Sequence, residues 1–439
     1  MSSGQRKPDS KSFSAPLVLF CTLCVAALSV ALAQAQDWKQ VSSTGPSARD
    51  SHAMAYDSAR GVTVLFGGWD GNSIFGDTWE WEGSSWTQAS SSGPPARAGH
   101  AMVYDSARGV TVLFGGADGS GSLGDTWEWD GSDWTSVSTT GPSDRQYHAM
   151  AYDSARGVTV LFGGLGRLSR LGDTWEWNGN SWTQVSTFGP SARLAHAMAY
   201  DSALGVTVLF GGFDGTEKGD TWEWDGSYWT QVSSTGPSAR RFLAMAYDSA
   251  RGITVFFGGW DGSSYFSDTW EWDGSSWTQV STSGPSARRE HAMAYDSARG
   301  VTVLFGGWGG WSRLGDTWEY SGPAFDLKAI FRRASPRAVR ISGRLKLIAR
   351  AKNIGNITSS PTLVYFYLSA DRTLDDTDIL LGGKAIPALA PGKNKKVKMK
   401  FTVPAIINPG FYYVIVEVEA EDAKPRNNVR ASKYTIEVY

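Results

Sequence analysis

Beyond residue 50 the chain alternates apolar and polar positions in short runs. "SHAMAYD" (51–57) puts His52, Met54 and Tyr56 on one side and the small Ala53 and Ala55 on the other, the period of two that predicts a strand. "GVTVLFGG" (61–68) is β-branched, apolar and stopped by glycines, "DTWEWEG" (77–83) sets Trp79 and Trp81 on one face, and "SSWTQAS" (84–90) carries Trp86. "DSARG" and "EGSS" are turn sequences suited to hairpins. Four strands per unit follow, with no helical period in competition. Bulky residues fall on both sides of several strands, which predicts sheets packed between neighbours.

The unit recurs six times. Its Gly-Gly pairs start at Gly67, Gly115, Gly163, Gly211, Gly258 and Gly306, spaced 48, 48, 48, 47 and 48 residues. A period of roughly 50 residues with four strands per unit is the mark of a propeller. The sixth unit stops after "DTWEY" (316–320) without a "SSWTQV" of its own, whereas "DWKQVSSTGPSAR" (37–49) is the tail of a unit with no beginning. Trp38 to Val41 is therefore expected to supply the fourth strand of blade six, which removes two raw sheet edges at once. The Gly-Gly after an apolar strand, the aromatic pair that follows it and the Trp of the last strand resemble the motifs of the Kelch family over 37–320. The resemblance implies a six-bladed β-propeller, with similarly closed rings among Kelch proteins and galactose oxidase. WD repeats match less well, because the Gly-His and Trp-Asp signatures are missing.

After Pro323 tryptophan disappears and basic residues rise. "FDLKAIFRRA", "GRLKLIARAKNIG", "TLVYFYLS", "KKVKMKFTVP" and "GFYYVIVEVEA" alternate like strands of an antiparallel sandwich. "NIGNITSSPTLVYFYLSADRTLDDTDILLGG", followed by "IPALAPGKNKKV", resembles the bacterial cell-adhesion-related domain CARDB. That resemblance implies an immunoglobulin-like β-sandwich in an exported bacterial protein. The expected fold is all-β: a leader over 1–35, a propeller over 36–323 closed by its N-terminal strand, and a C-terminal sandwich over 324–439.

Charge supports the division. The net charge of −2 conceals 18 Lys/Arg against 32 Asp/Glu over 36–325 and 20 against 10 over 326–439. The basic part lacks the interleaved aromatic and basic residues of a nucleic-acid surface, so no nucleic-acid partner is expected. Both cysteines, Cys21 and Cys24, lie in the leader, so the rest of the chain has no disulfide, thiolate metal site or cysteine nucleophile. Arg6, Lys7 and Lys11 precede an apolar run from Leu17 to Ala33, and Ala31-Leu32-Ala33 and Ala33-Gln34-Ala35 both fit a small-residue cleavage site. A cleaved secretory signal is expected, with an uncleaved anchor as the alternative, since the run approaches the length that spans a bilayer core of ~30 Å. No later segment is long enough to span. The expected location is secreted or cell-surface associated.

Candidate chemistry comes in rings. His52, His100, His148, His196 and His291 recur at one position, with Leu243 breaking the series, and equivalent positions on six inner strands lie too far apart to share a metal with bonds of ~2.0 Å. A packing or hydrogen-bonding role is expected. Arg49, Arg97, Arg145, Arg193, Arg240 and Arg288 precede each inner strand, either tying adjacent blades together or forming an anion site at the channel mouth. Asp77, Asp125, Asp173, Asp220, Asp268 and Asp316 open each "DTWE(W/Y)", which predicts turn hydrogen bonding. Asp371, Asp375, Asp376 and Asp378 cluster in a loop that reads as a solvated turn, with calcium binding as the alternative. "DGSSW" is not a sialidase Asp box, and a copper site of the galactose oxidase type would need a cysteine that the chain lacks here. No catalytic residue, metal ligand or cofactor is assigned.

The repeats differ where loops after second and fourth strands must emerge on one face. The second-to-third loops read "WDGNSIFG", "ADGSGSLG", "LGRLSRLG", "FDGTEKG", "WDGSSYFS" and "WGGWSRLG", and the pairs after the arginine ring read "DS", "AG", "QY", "LA", "RF" and "RE". Trp69, Trp260, Trp308 and Trp311 with Arg167, Arg170, Arg241 and Arg289 are the candidate ligand-binding residues, because aromatic and arginine side chains anchor interfaces and flat tryptophan stacks on sugars. The expected function is non-catalytic recognition or adhesion, with an extracellular glycan or protein as partner. A carbohydrate-active enzyme with its site at the channel mouth, or a structural matrix protein, are the alternatives. Only Glu217 and Glu290 offer blade-unique acids there, without an obvious partner.

Overall fold

The computed structural model describes residues 38–322, 327–355, 358–419 and 428–439. The expected signal lies outside them. Six antiparallel sheets follow one another, with first strands Ala53–Asp57, Ala101–Asp105, Ala149–Asp153, Ala197–Asp201, Ala244–Asp248 and Ala292–Asp296, here blades 1 to 6. These six strands touch in a closed circle, so they are the innermost. Blade 1 continues outward through Val62–Phe66, Thr78–Trp81 and Trp86–Ser90. Its second strand is buried on both faces, with Val64, Leu65 and Phe66 fully enclosed. Enclosing such side chains stabilises by roughly 1.5–3 kcal/mol each.

Blade 6 consists of Ala292–Asp296, Val301–Phe305 and Thr317–Tyr320, and its outer strand is Trp38–Ser42, with Trp38 opposite Tyr320. The ring closes as the truncated sixth unit requires. The joint is the same as every other. Trp38 Nε1 donates to Thr269 Oγ1 of blade 5 at 2.8 Å, as Trp86 donates to Thr317 and Trp134 to Thr78. Each joint also needs a glycine. A Cβ on Gly284, at φ +133°, would stand 2.7 Å from the Trp38 ring.

The arginine and aspartate rings prove to be one network, which corrects both expectations. Arg97 is fully buried and holds Asp125 of its own blade through two hydrogen bonds of 2.7 and 2.9 Å, while Nη1 also donates to the Gly115 carbonyl. Asp125 accepts a third bond from Trp127 Nε1 at 2.6 Å. The pair recurs in all six blades, from Arg49–Asp77 to Arg288–Asp316. These guanidinium groups brace their own blade rather than its neighbour, and they are spent, leaving no anion site. The backbone makes the link between blades instead: Arg49 N donates to the Leu314 carbonyl of blade 6.

The C-terminal part is a sandwich. Leu327–Ser335, Arg344–Asn353 and Asn394–Thr402 form one sheet. Thr362–Ser369, Ile379–Ile386 and Gly410–Glu419 lie in the other, together with shorter strands. Leu345, Leu347, Val364, Phe366, Val414 and Val416 belong to one core between them. Ile379–Ile386 is not among the expected strands. Its Gly383 lies opposite Tyr365, whose ring occupies the space a Cβ would fill, at 2.6 Å. In the acidic loop Asp371 and Asp375 accept bonds from Thr373 and Thr377, and Asp378 from the Asp375 amide. Among the described residues no three His, Cys, Asp or Glu side chains gather as a metal site, and no helix is long and apolar enough to cross a membrane.

Candidate binding face and axial mouth

Strand alternation does bring the two varied segments together. Asp50, after the first arginine of the ring, exchanges backbone hydrogen bonds with Trp69 in the second-to-third loop, at 3.0 and 2.9 Å. Leu194 with Phe213, Arg241 with Trp260 and Arg289 with Trp308 repeat the bridge.

On this face arginine and aromatic side chains interleave across five blades. Arg170 lies over Phe213 at 5.4 Å and Arg241 over the same ring at 4.2 Å. Arg241 and Arg289 both lie over Trp260, at 4.6 and 4.8 Å. Trp260 stacks with Tyr265, which accepts a 3.1 Å bond from Trp308 Nε1. Arg313 closes the arc between Trp308 and Trp69, at 4.7 and 4.2 Å. Blade 2, with Ala98 and Ala117 at these positions, leaves the gap.

Six of the eight candidate residues therefore meet: Trp69, Trp260, Trp308, Arg170, Arg241 and Arg289. Trp311 and Arg167 do not. Trp311 is 96% exposed, and neither it nor Arg167 has a ring contact among the described residues. The aromatic faces in the arc are largely covered by guanidinium groups, so Trp69 and Trp260 are less free as sugar platforms than the sequence suggests. Glu217 and Glu290 have arginine and serine neighbours on this face. Glu217 stands 3.7 Å from Arg241 Nε, and Glu290 accepts a 2.7 Å bond from Ser51 Oγ and lies 3.3 Å from Arg289 Nε. Burial, with the nearby Asp50 charge, holds the Glu290 carboxyl above its ordinary range despite the Ser51 bond.

At the axis lies a feature the sequence did not announce. Ser51, Tyr147, Ala195, Phe242 and Glu290 have φ between +55° and +58°, and Gly99 has +67°. Each amide donates to the carbonyl of the equivalent residue in the preceding blade: Gly99 to Ser51, Tyr147 to Gly99, Ala195 to Tyr147, Phe242 to Ala195, Glu290 to Phe242 and Ser51 to Glu290, at 2.7–3.0 Å. Six amides thus close a circle. A left-handed non-glycine residue costs of order 1–3 kcal/mol, and such strain collects at functional sites. Six nearly identical blades carry six different residues here. Tyr147 and Phe242 meet edge to face at 5.3 Å, and burial raises the Tyr147 hydroxyl to about 12.

Beneath this circle the five histidines and Leu243 line a cavity of about 130 Å³. Each imidazole packs edge-on against a phenylalanine of the preceding blade, as His52 does on Phe305 at 5.4 Å and His100 on Phe66 at 5.6 Å. Packing is thus the observed role. Their ring nitrogens have no hydrogen-bond partner among the described residues; the Phe305 backbone near His52 lies outside bonding geometry. Burial, then the adjacent arginine charge, drives His52, His100 and His196 down to about 3, and His148 and His291 well below the usual value.

Comparison with known proteins bears on this geometry. The profile of the KLHDC2/KLHL20/DRC7 Kelch-repeats domain matches residues 80–233 and 177–323. The chain belongs to this Kelch-repeat family. No curated protein matches it. Among solved structures, "Structure of YjhT" aligns with TM-score 0.50 and 13% identity over 62% of this chain and 95% of that one, a likeness of fold. The CARDB domain of the PF1109 protein from Pyrococcus furiosus, described in complex with di-metal ions, aligns at 20% identity over 26% of this chain and 90% of its own, with TM-score 0.21. That likeness carries no argument. A Kelch propeller is generally a binding scaffold, and this one carries an arginine–aromatic arc around its axial mouth. Sequence reasoning passed over Asp50, which accepts from Ser51 Oγ and pairs with Arg313 at 2.9 Å. The only signal was the variable dipeptide that contains it.

Proposed function

We propose that the protein is an exported, non-catalytic recognition protein whose varied propeller face binds an acidic protein ligand. The interleaved arc carries this reading. Arginine and tryptophan are the residue types that dominate interface energetics, and stacked guanidinium groups are pre-positioned to meet carboxylates with little further loss of freedom. Arg170 forms no ion pair among the described residues, and Arg241 holds its acid only at 3.7 Å, so donors remain for a partner. The C-terminal sandwich acts as a spacer or surface-association module. A glycan ligand is the second reading, favoured by Trp311, whose ring is open on the same varied loops.

The test uses residues 36–439 on arrays of extracellular proteins and of glycans, each read at low and high salt. Saturable binding to acidic proteins that weakens with salt and is lost in Arg241→Ala/Arg289→Ala is expected. Binding on the glycan array alone, lost in Trp311→Ala, moves the assignment to the second reading. Binding to acidic proteins that is undiminished in Arg241→Ala/Arg289→Ala overturns the face as the site.

A further inference from the structure

A second site lies on the flank of the propeller, at the joint of blades 3 and 4. The outer strand Trp182–Ser186 leads into Thr187, Phe188 and Gly189, and the turn before Trp229 carries Ser227 and Tyr228. Together they line a groove of about 460 Å³. Its floor is the ordinary joint: Trp229 donates to Thr174 Oγ1 at 2.9 Å and packs where a Cβ of Gly189 would stand. Its walls are not ordinary. Phe188 is 85% exposed and Tyr228 74% exposed.

Five sister repeats give the comparison. The position of Phe188 holds Thr44, Ser92, Thr140, Thr235 and Ser283, and that of Tyr228 holds Asp37, Ser85, Asp133, Ser181 and Ser276. Every other joint is small and polar at both places. In this joint alone both are aromatic, and they border one groove. Exposed rings at a site where the fold is built equally well with Ser and Thr are not explained by packing. Neither ring has an aromatic or cationic partner among the described residues, so their faces are open, in contrast to those of Trp69 and Trp260.

We infer that this groove binds a neutral polysaccharide chain. The two rings offer flat apolar surface of the kind that receives the C–H face of a pyranose, and the Gln184 amide and the Thr187 and Ser227 hydroxyls, without side-chain partners among the described residues, offer both donors and acceptors to sugar hydroxyls. No charged side chain lines the groove, which selects against uronic acids and sulfated chains. The site is separate from the arginine–aromatic face and stands or falls apart from it.

Affinity electrophoresis of residues 36–439 through gels containing neutral polysaccharides (β-glucan, xylan, mannan, chitin derivative) and acidic ones (alginate, hyaluronan) tests this. Retardation by at least one neutral polymer is expected, weakened about tenfold or more in Phe188→Thr/Tyr228→Ser, the scale of losing one aromatic contact. Those substitutions restore the residues of the sister joints, so the variant folds, which its melting curve checks. Arg241→Ala/Arg289→Ala should retain full retardation. Absence of retardation by every neutral polymer, or retardation unchanged in the aromatic variant, overturns the inference. So does wild-type self-association that the variant abolishes, which would assign the groove to a second copy of the chain.

Discussion

At the scale of single residues, the axial circle makes a direct prediction. Ala195 has no side-chain bond to lose, and it pays for a left-handed backbone at φ +56° that glycine adopts freely. Weighing that strain, ~1–2 kcal/mol, against the extra freedom of glycine in the unfolded chain, ~0.5–1 kcal/mol, Ala195→Gly should stabilise by up to about 1.5 kcal/mol in urea unfolding. The histidines predict an acid-sensitive fold. Their folded values are depressed from 6.5, so the unfolded chain takes up protons first and stability falls as pH drops from about 6.5 toward 3. Asp77, Asp125, Asp173, Asp220 and Asp316 add to the loss below 3.8: burial works to raise them, but bonds from arginine and tryptophan hold them low. Glu290, raised above 4.5, works in the opposite sense as pH rises past that value. Melting temperatures from pH 7 to 4 should fall, with a shallower slope in His100→Leu, for which Leu243 is the natural precedent. Not all of this was legible. The Arg–Asp pairing was, in principle, since the separation is 28 residues in five blades and 27 in blade 4, whose loop is one residue shorter. The circle was not, because only Gly99 among its six members is a residue that advertises a positive φ.

At the scale of strands and turns, the "DSARG" hairpin contains an ion-pair relay. Arg60 bonds Asp57 through Nε and Glu80 through Nη1, both at 2.6 Å, and the relay recurs wherever the arginine is present. Blade 4 has Leu204 in its place, 54% exposed, and its Glu223 is pushed above the usual range by burial. Leu204→Arg should restore the relay to Asp201 and Glu223. The gain is at most about 1 kcal/mol, because these pairs are partly solvated, and thermal melts at low and high salt would measure it. Strand existence was readable from alternation and turn chemistry throughout the propeller. In the sandwich Ile379–Ile386 escaped because its Gly383 makes room for a cross-strand tyrosine, a pairing that no local pattern reveals.

At the scale of the whole molecule, closure by Trp38–Ser42 was foreseen because one unit lacked what another segment carried in excess. A chain beginning at residue 43 should lose the Trp38–Thr269 bond and the cover over Gly284, and expose the edge of Thr317–Tyr320. Its melting temperature should fall sharply and rise again, with the logarithm of the concentration, when an excess of a peptide of residues 36–49 is added. The proposed binding surfaces were legible only as variation, since which side chains converge is decided by blade geometry. The axial circle has one more property. A helix strings its amides along a line, so it ends in unpaired donors that hold partial positive charge and draw anions. Six amides joined nose to tail around an axis have neither first member nor last. Their in-plane dipoles cancel, and the circle leaves no unpaired amide end at the mouth of the channel. Whatever it prefers is written by the residues at six positions, Ser, Gly, Tyr, Ala, Phe and Glu, and could be rewritten one at a time.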